Sequence, residues 1–163
     1  MKMKTTEQTS LNPRDDSLAD RPIRTLLVED SPVMMAVLAR ALAKTQRTFI
    51  VGSASEGRKA LAYASWLQPD LVITDLHMPG LDGAEVTHLL KQQPNPPTVF
   101  VVTTDDTPAA RANCFAAGAN AFLVKAGNLA PQLLSAIREF FPDGLHGSDG
   151  KRKHFRERFT TIE

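Results

Sequence analysis

The sequence predicts an α/β protein, a doubly wound five-stranded parallel sheet with flanking helices on both faces. Three observations predict it. Between residues 22 and 142, short apolar runs rich in β-branched residues alternate with stretches of helical periodicity, five times over. The runs are apolar at successive positions, as strands must be when helices cover both faces. Four of the five runs stop at polar residues, which places reactive side chains beyond the carboxyl ends of the strands, where open sheets of this kind bind ligands.

The elements follow in order. Ile23–Val28 is the first strand and ends in Glu29-Asp30. Ser31 before Pro32 is an N-cap followed by proline at the first helical position. Met34, Val37, Leu38, Ala41 and Leu42 then recur at helical spacing, which predicts a helix over Pro32–Lys44. Thr48–Val51 reads as a short second strand. Glu56–Leu67 is helical, with Ala60, Leu61, Ala64 and Leu67 on one face and Tyr63 and Trp66 as packing residues. Pro69 closes it, because the residue before a proline disfavours the helical region. Leu71–Thr74 is the third strand, and the chain then turns at "DLHMPGLDG", starting from Asp75. Ala84–Gln92 is a helix closed by Pro94 and the Pro96-Pro97 pair. Thr98–Val102 is the fourth strand, and Pro108–Ala117 a helix capped by Gly118. Ala121–Val124 is the fifth strand. Leu129–Phe141 is the last helix, with Pro131 tolerated in its first turn and Pro142 following it.

The bulk properties bound the reading. The chain's 163 residues suffice for one domain with a full core. Residues 1–21 are polar and aperiodic and read as a flexible N-terminal segment; residues 143–163 read as a flexible basic tail around Lys151-Arg152-Lys153-His154-Phe155-Arg156. That tail is too short and isolated to be a DNA-binding domain, and with a net charge of +1 no nucleic-acid partner is expected. No apolar stretch approaches the roughly 18 residues of a membrane helix, and no secretory signal opens the chain. The lone Cys114 permits no intrachain disulfide and reads as a packed small hydrophobe, and a cytoplasmic location is expected. His88 reads as a surface residue.

The residues after the strands carry the chemistry. They are Glu29 and Asp30 after the first, Asp75 after the third, Thr103 after the fourth and Lys125 after the fifth. Crowded carboxylates repel one another unless a cation sits among them. Oxygen donors with no His or Cys cluster suit a hard ion such as Mg²⁺. A cation, an ammonium and a hydroxyl around one aspartate would stabilise a phosphoryl group bonded to it.

"LLVEDSP" at 26–32, "DLHMPGLDG" at 75–83, "VVTT" at 101–104 and "GANAFLVK" at 118–125 occur in order, with Asp30, Asp75, Thr103 and Lys125 spaced by 45, 28 and 22 residues. In these motifs residues 22–142 resemble the receiver domains of two-component response regulators, of the single-domain chemotaxis-regulator type with a flavodoxin-like (βα)5 fold. The resemblance implies that Asp75 accepts a phosphoryl group from a histidine kinase or a histidine phosphotransfer protein. It implies Mg²⁺ held by Asp30, Asp75, Glu29 and the backbone carbonyl of His77, and phosphoryl oxygens held by Thr103 and Lys125. It implies a switch in which the Thr103 hydroxyl moves toward the phosphoryl group and the Phe122 ring turns inward. The surface remodelled would be that of the fourth helix, fifth strand and fifth helix, read by a downstream protein. A homodimer formed on phosphorylation is left open.

The chain departs from the family pattern in two places. Ala126 follows Lys125 where the family has proline, so the Lys125–Ala126 bond is expected to be either trans with a shifted loop or strained. Thr104 stands where a smaller residue is usual and would narrow access to the phosphoryl group. His77 and Asp105, each two residues beyond a site residue, are expected to flank the attacking water and tune dephosphorylation. No effector-sized segment follows residue 142, so a stand-alone receiver with no enzymatic activity beyond its own phosphoryl transfer and dephosphorylation is expected. The alternatives are a pseudo-receiver that binds partners without phosphorylation, and a phosphatase. The phosphatase reading lacks a second aspartate at position 77.

Overall fold

The computed structural model describes residues 21–142. The chain runs β1 (Ile23–Val28), α1 (Pro32–Ala43), β2 (Thr48–Ala54), α2 (Gly57–Leu67), β3 (Leu71–Asp75), α3 (Gly83–Lys91), β4 (Thr98–Thr103), α4 (Pro108–Ala116), β5 (Ala121–Val124) and α5 (Leu129–Phe140). All strand pairs are parallel and the order is β2-β1-β3-β4-β5. The predicted doubly wound sheet is present, with its switch point between β1 and β3. Both terminal segments predicted to be flexible, the basic run at 151–156 included, lie outside the described residues, except that Arg21 is tied to the domain. Its guanidinium donates to both carboxylate oxygens of Asp70, at 3.0 and 3.3 Å.

Burial explains the layers. Every residue of β3 and β4 is buried, which needs apolar side chains on both faces. On one face Leu38 and Leu42 of α1 and Leu133, Ala136, Ile137 and Phe140 of α5 pack on Ile23, Leu27, Ile73 and Phe100. Phe140 meets Phe100 edge to face at 5.4 Å between ring centres. On the other face α2 and α3 pack on Leu26, Val28 and Val72, and α4 on Val101 and Phe122.

Two expectations are corrected. β2 continues three residues beyond Val51, because Gly52, Ser53 and Ala54 pair with Leu26, Leu27 and Val28 after a register shift. Small residues hid that extension, since edge pairing is backbone chemistry and leaves little side-chain signal. Tyr63 and Trp66 are not packing residues: they are 39% and 81% exposed. The buried stripe of α2 is Gly57, Ala60 and Ala64. At about 100° per residue, Trp66 falls roughly 150° from the centre of that stripe.

The helix ends follow local rules. Ser31 caps α1, its Oγ accepting from the Met34 N–H at 3.3 Å. Gly83 opens α3 behind a capping box: Asp82 Oδ1 accepts from the Glu85 N–H at 2.8 Å, and Glu85 Oε2 from the Asp82 N–H at 2.9 Å. Ala117 is the C-cap of α4, and Gly118, predicted as the cap, follows it with φ +104°.

Cys114 is fully buried, and burial pushes its thiol up to about 11. The thiolate is the reactive form. Native protein at pH 7.5 is therefore expected to react with iodoacetamide at least about 100-fold more slowly than protein unfolded in urea. Equal rates would show that Cys114 is not held in the core.

Candidate phosphoacceptor and metal site

The site lies beyond the carboxyl ends of β1, β3, β4 and β5, at the switch point of the sheet. β1 delivers Glu29 and Asp30, and β3 ends on Asp75 beside them, because Val28 pairs with Thr74. Carboxylate oxygens of Glu29, Asp30 and Asp75 all come within 4.8 Å of one another. Asp30 is exposed, whereas Glu29 and Asp75 are only 2% and 7% exposed.

Lys125 supplies the countercharge from the far side of β4. Its N–H donates to the Thr103 carbonyl at 2.7 Å, which extends the β4–β5 pairing by one rung. Its Nζ lies 2.8 Å from Glu29 Oε2 and 3.1 Å from Asp75 Oδ2. Burial pushes the Glu29 carboxyl above its ordinary value. Hydrogen bonds from Lys125 and from the Ser31 N–H, the latter at 3.1 Å, oppose that rise, and the charge of Asp75 reinforces it.

The loop after β5 settles the departure at Ala126. No peptide bond among the described residues is cis. The Ala126 N–H donates to the Val124 carbonyl at 2.8 Å, a bond that a proline could not make, and the Ala126 carbonyl accepts from Leu129 at 2.9 Å. The trans arrangement leaves Lys125 aimed at the carboxylates.

Thr103 is fully buried, and its hydroxyl accepts from the Asp105 N–H at 3.1 Å while keeping its own O–H as a donor. Thr104 is exposed. His77 and Asp105 meet across the mouth, Nε2 to Oδ2 at 3.4 Å. Hydrogen bonds from Thr107 hold the Asp105 carboxyl below its ordinary value, and the His77 contact adds to this. Phe122 is not at the strand ends; it is buried one layer below, against Leu76, Ala84, Val101, Cys114 and Ala119.

Two positions were not expected from the sequence. A Cβ on Gly83 would lie 2.1 Å from the Asp75 carbonyl oxygen, so the absence of a side chain there lets α3 start against the end of β3. The Asp82-to-Glu85 capping box was the signal available. Arg111 stacks over the Phe122 ring, 4.6 Å from its centre, and nothing in its local sequence marks it.

The donor set fits a hard divalent ion. Glu29 Oε2 is buried with the Lys125 ammonium against it at 2.8 Å, and three carboxylates against one ammonium leave two negative charges. A carboxylate at the β1/β3 switch point, with a lysine reaching it from β5, is the arrangement of a signalling receiver domain. Residues 25–138 match the family model of the response regulator receiver domain, and the chain belongs to that family. It is 37% identical over 102 residues to the protein-glutamate methylesterase/protein-glutamine glutaminase 2 of Methanospirillum hungatei, covering 63% of this chain and 29% of that protein. It is 34% identical over 120 residues to the response regulator GacA of Pseudomonas viridiflava, covering 73% of this chain and 55% of the regulator. The chain thus spans about half or less of these relatives' length. Among solved structures it is similar to the response regulator domain of CheB from Thermotoga maritima, with TM-score 0.66, 31% identity, and coverage of 72% and 95%. The receiver domain of NarL from Mycobacterium tuberculosis superposes with TM-score 0.68 at 28% identity, covering 72% and 94%. Membership makes this a domain of phosphorylation-based signalling, a family that works with Mg²⁺, histidine kinases and downstream effectors. No described helix is long and apolar enough to cross a membrane.

Proposed function

We propose that residues 22–142 form the receiver and that Asp75 is its phosphoacceptor, charged by a histidine kinase or a histidine phosphotransfer protein. The observation that carries this is the Lys125 ammonium between Glu29 and Asp75, at 2.8 and 3.1 Å, with Asp30 completing the acidic group. An Asp75 oxygen attacks phosphorus, the bond from phosphorus to the donor's imidazole nitrogen breaks, and that nitrogen keeps the electron pair. Lys125 holds one phosphoryl oxygen as charge develops, and the Thr103 O–H donates to another. Glu29, Asp30, Asp75 and the His77 backbone carbonyl would hold Mg²⁺, which would supply positive charge to stabilise the transferring phosphoryl group. Recruiting Thr103 breaks its contact with the Asp105 N–H, and this local change biases Phe122 and the surface of α4, β5 and α5. A downstream protein reads that surface.

The test is incubation with acetyl phosphate and Mg²⁺, followed by intact-mass measurement. A gain of one phosphoryl group is expected, absent with EDTA and absent in Asp75→Ala. No gain in the unaltered chain would favour a pseudo-receiver. Steady turnover of an added phosphoester would favour an enzyme.

The His77–Asp105 contact spans the mouth above Asp75, where an attacking water must pass. Replacing both by alanine is expected to change the decay rate of the phosphorylated protein at least about threefold, since positioned polar groups of this kind are worth around 1 kcal/mol. An unchanged decay rate would remove them from dephosphorylation.

A further inference from the structure

We propose that Arg111 is a positioning residue, a clamp that holds the Phe122 ring in its buried seat and ties that seat to the loop after β4. Its consequence for phosphorylation rests on the reading of Asp75 given above.

The contacts run in a short chain. The Arg111 guanidinium carbon sits 4.6 Å above the centre of the Phe122 ring. Its Nη2 lies 2.5 Å from Asp106 Oδ1, and its side chain is only 19% exposed. A planar guanidinium can stack on a ring face and present its edge to a carboxylate at once, which an ammonium cannot do. Phe122, 2% exposed, fills a cluster with Leu76 and Ala84. Leu76 is the residue after Asp75, and Ala84 lies in the first turn of α3. The ring therefore supports the back of the acceptor loop.

The loop partner matters as much as the ring. Asp105 holds the Thr103 hydroxyl through its N–H, Asp106 holds Arg111, and the Thr107 hydroxyl caps α4 by accepting from the Ala110 N–H. Three successive residues thus engage the threonine, the clamp and the helix. The residue of α4 that is fully buried is Cys114, so this helix is held lightly by its own core contacts. Arg111 supplies a further attachment, and it is an electrostatic one directed at the switch ring. Drawing Thr103 toward a group on Asp75 moves Asp105, and with it the carboxylate that aims Arg111. The clamp makes the ring-in arrangement the resting one and so favours acceptance of a phosphoryl group.

Titration of the full chain with beryllofluoride in saturating Mg²⁺, followed by amide NMR, tests this. Arg111→Met keeps the apolar stem but removes the cation, and is expected to raise the beryllofluoride midpoint about three- to tenfold. Arg111→Lys should recover part of that loss, Asp106→Asn should show a smaller loss, and the affinity for Mg²⁺ alone should not move. In a Phe122→Leu background Arg111→Met should add nothing. A wild-type midpoint for Arg111→Met, or the same penalty in both backgrounds, overturns the clamp. A chain that takes no beryllofluoride would instead refute the Asp75 reading. The clamp is then judged by the Arg111 Nε–H resonance, which should carry a ring-current shift that vanishes in Phe122→Leu. A resonance that does not move would overturn it.

Discussion

Gly83→Ala is expected to cost about 3 kcal/mol or more, enough to unfold a large fraction of molecules in a domain of ordinary marginal stability. The added Cβ would lie 2.1 Å from the Asp75 carbonyl oxygen and 2.9 Å from the Leu76 Cα. Neither obstacle is a flexible side chain. The Gly83 N–H also donates to the Leu76 carbonyl at 2.8 Å, so α3 cannot back away without losing that bond. The displaced backbone belongs to Asp75, the proposed acceptor, and on that proposal any folded remainder should take up phosphoryl groups poorly. Gly127 is the control: a Cβ there meets nothing within 4 Å, and alanine should change stability by no more than about 0.5 kcal/mol. Urea midpoints of the two variants decide the matter. Similar midpoints would mean that α3 is not seated on the Asp75–Leu76 backbone.

Lys125→Met is expected to cost about 3 kcal/mol at pH 8 in metal-free buffer, because it leaves two buried carboxylates facing each other without their cation. The loss should depend on pH with a definite sign. Burial already raises the Glu29 carboxyl, and the Lys125 hydrogen bond is the largest influence pulling it back. Without Lys125 it rises further. A carboxyl whose folded value exceeds its unfolded value holds its proton more tightly in the native state. Stability therefore falls as pH rises from the ordinary carboxylate value through the raised one. The deficit relative to the unaltered chain should shrink on going from pH 8 to pH 5. Millimolar Mg²⁺ at pH 8 should restore part of it by supplying the missing charge. Equal deficits at both pH values would mean that Lys125 acts only through the packing of its stem.

The strands of the sheet interior were legible because burial on both faces demands unbroken apolar runs, as at "LVIT" and "TVFVV". Their carboxyl ends were legible for the complementary reason: Asp75, Thr103 and Lys125 interrupt apolar pattern where only function or a turn would. The edge strand β2 was less legible. Gly52, Ser53 and Ala54 join the sheet through backbone pairing, and their side chains carry no strand pattern. Trp66 shows the converse failure, a large apolar side chain assigned to packing by its type but turned outward by the phase of a helix whose buried stripe is glycine and alanine.

By itself the sequence determined the order of elements, the parallel sheet and the set of polar residues at its carboxyl edge. These follow from periodicity and from where apolar runs end, which are local properties. Only the tertiary structure decided the contacts between elements distant in the chain. Lys125 reaches past β4 to Glu29 and Asp75, the trans Lys125–Ala126 bond keeps it there, His77 meets Asp105, and Arg111 covers Phe122. Sequence spacing fixes which strand end bears a side chain. Whether its last atom reaches a partner depends on sheet order, register and loop shape, which no local pattern encodes.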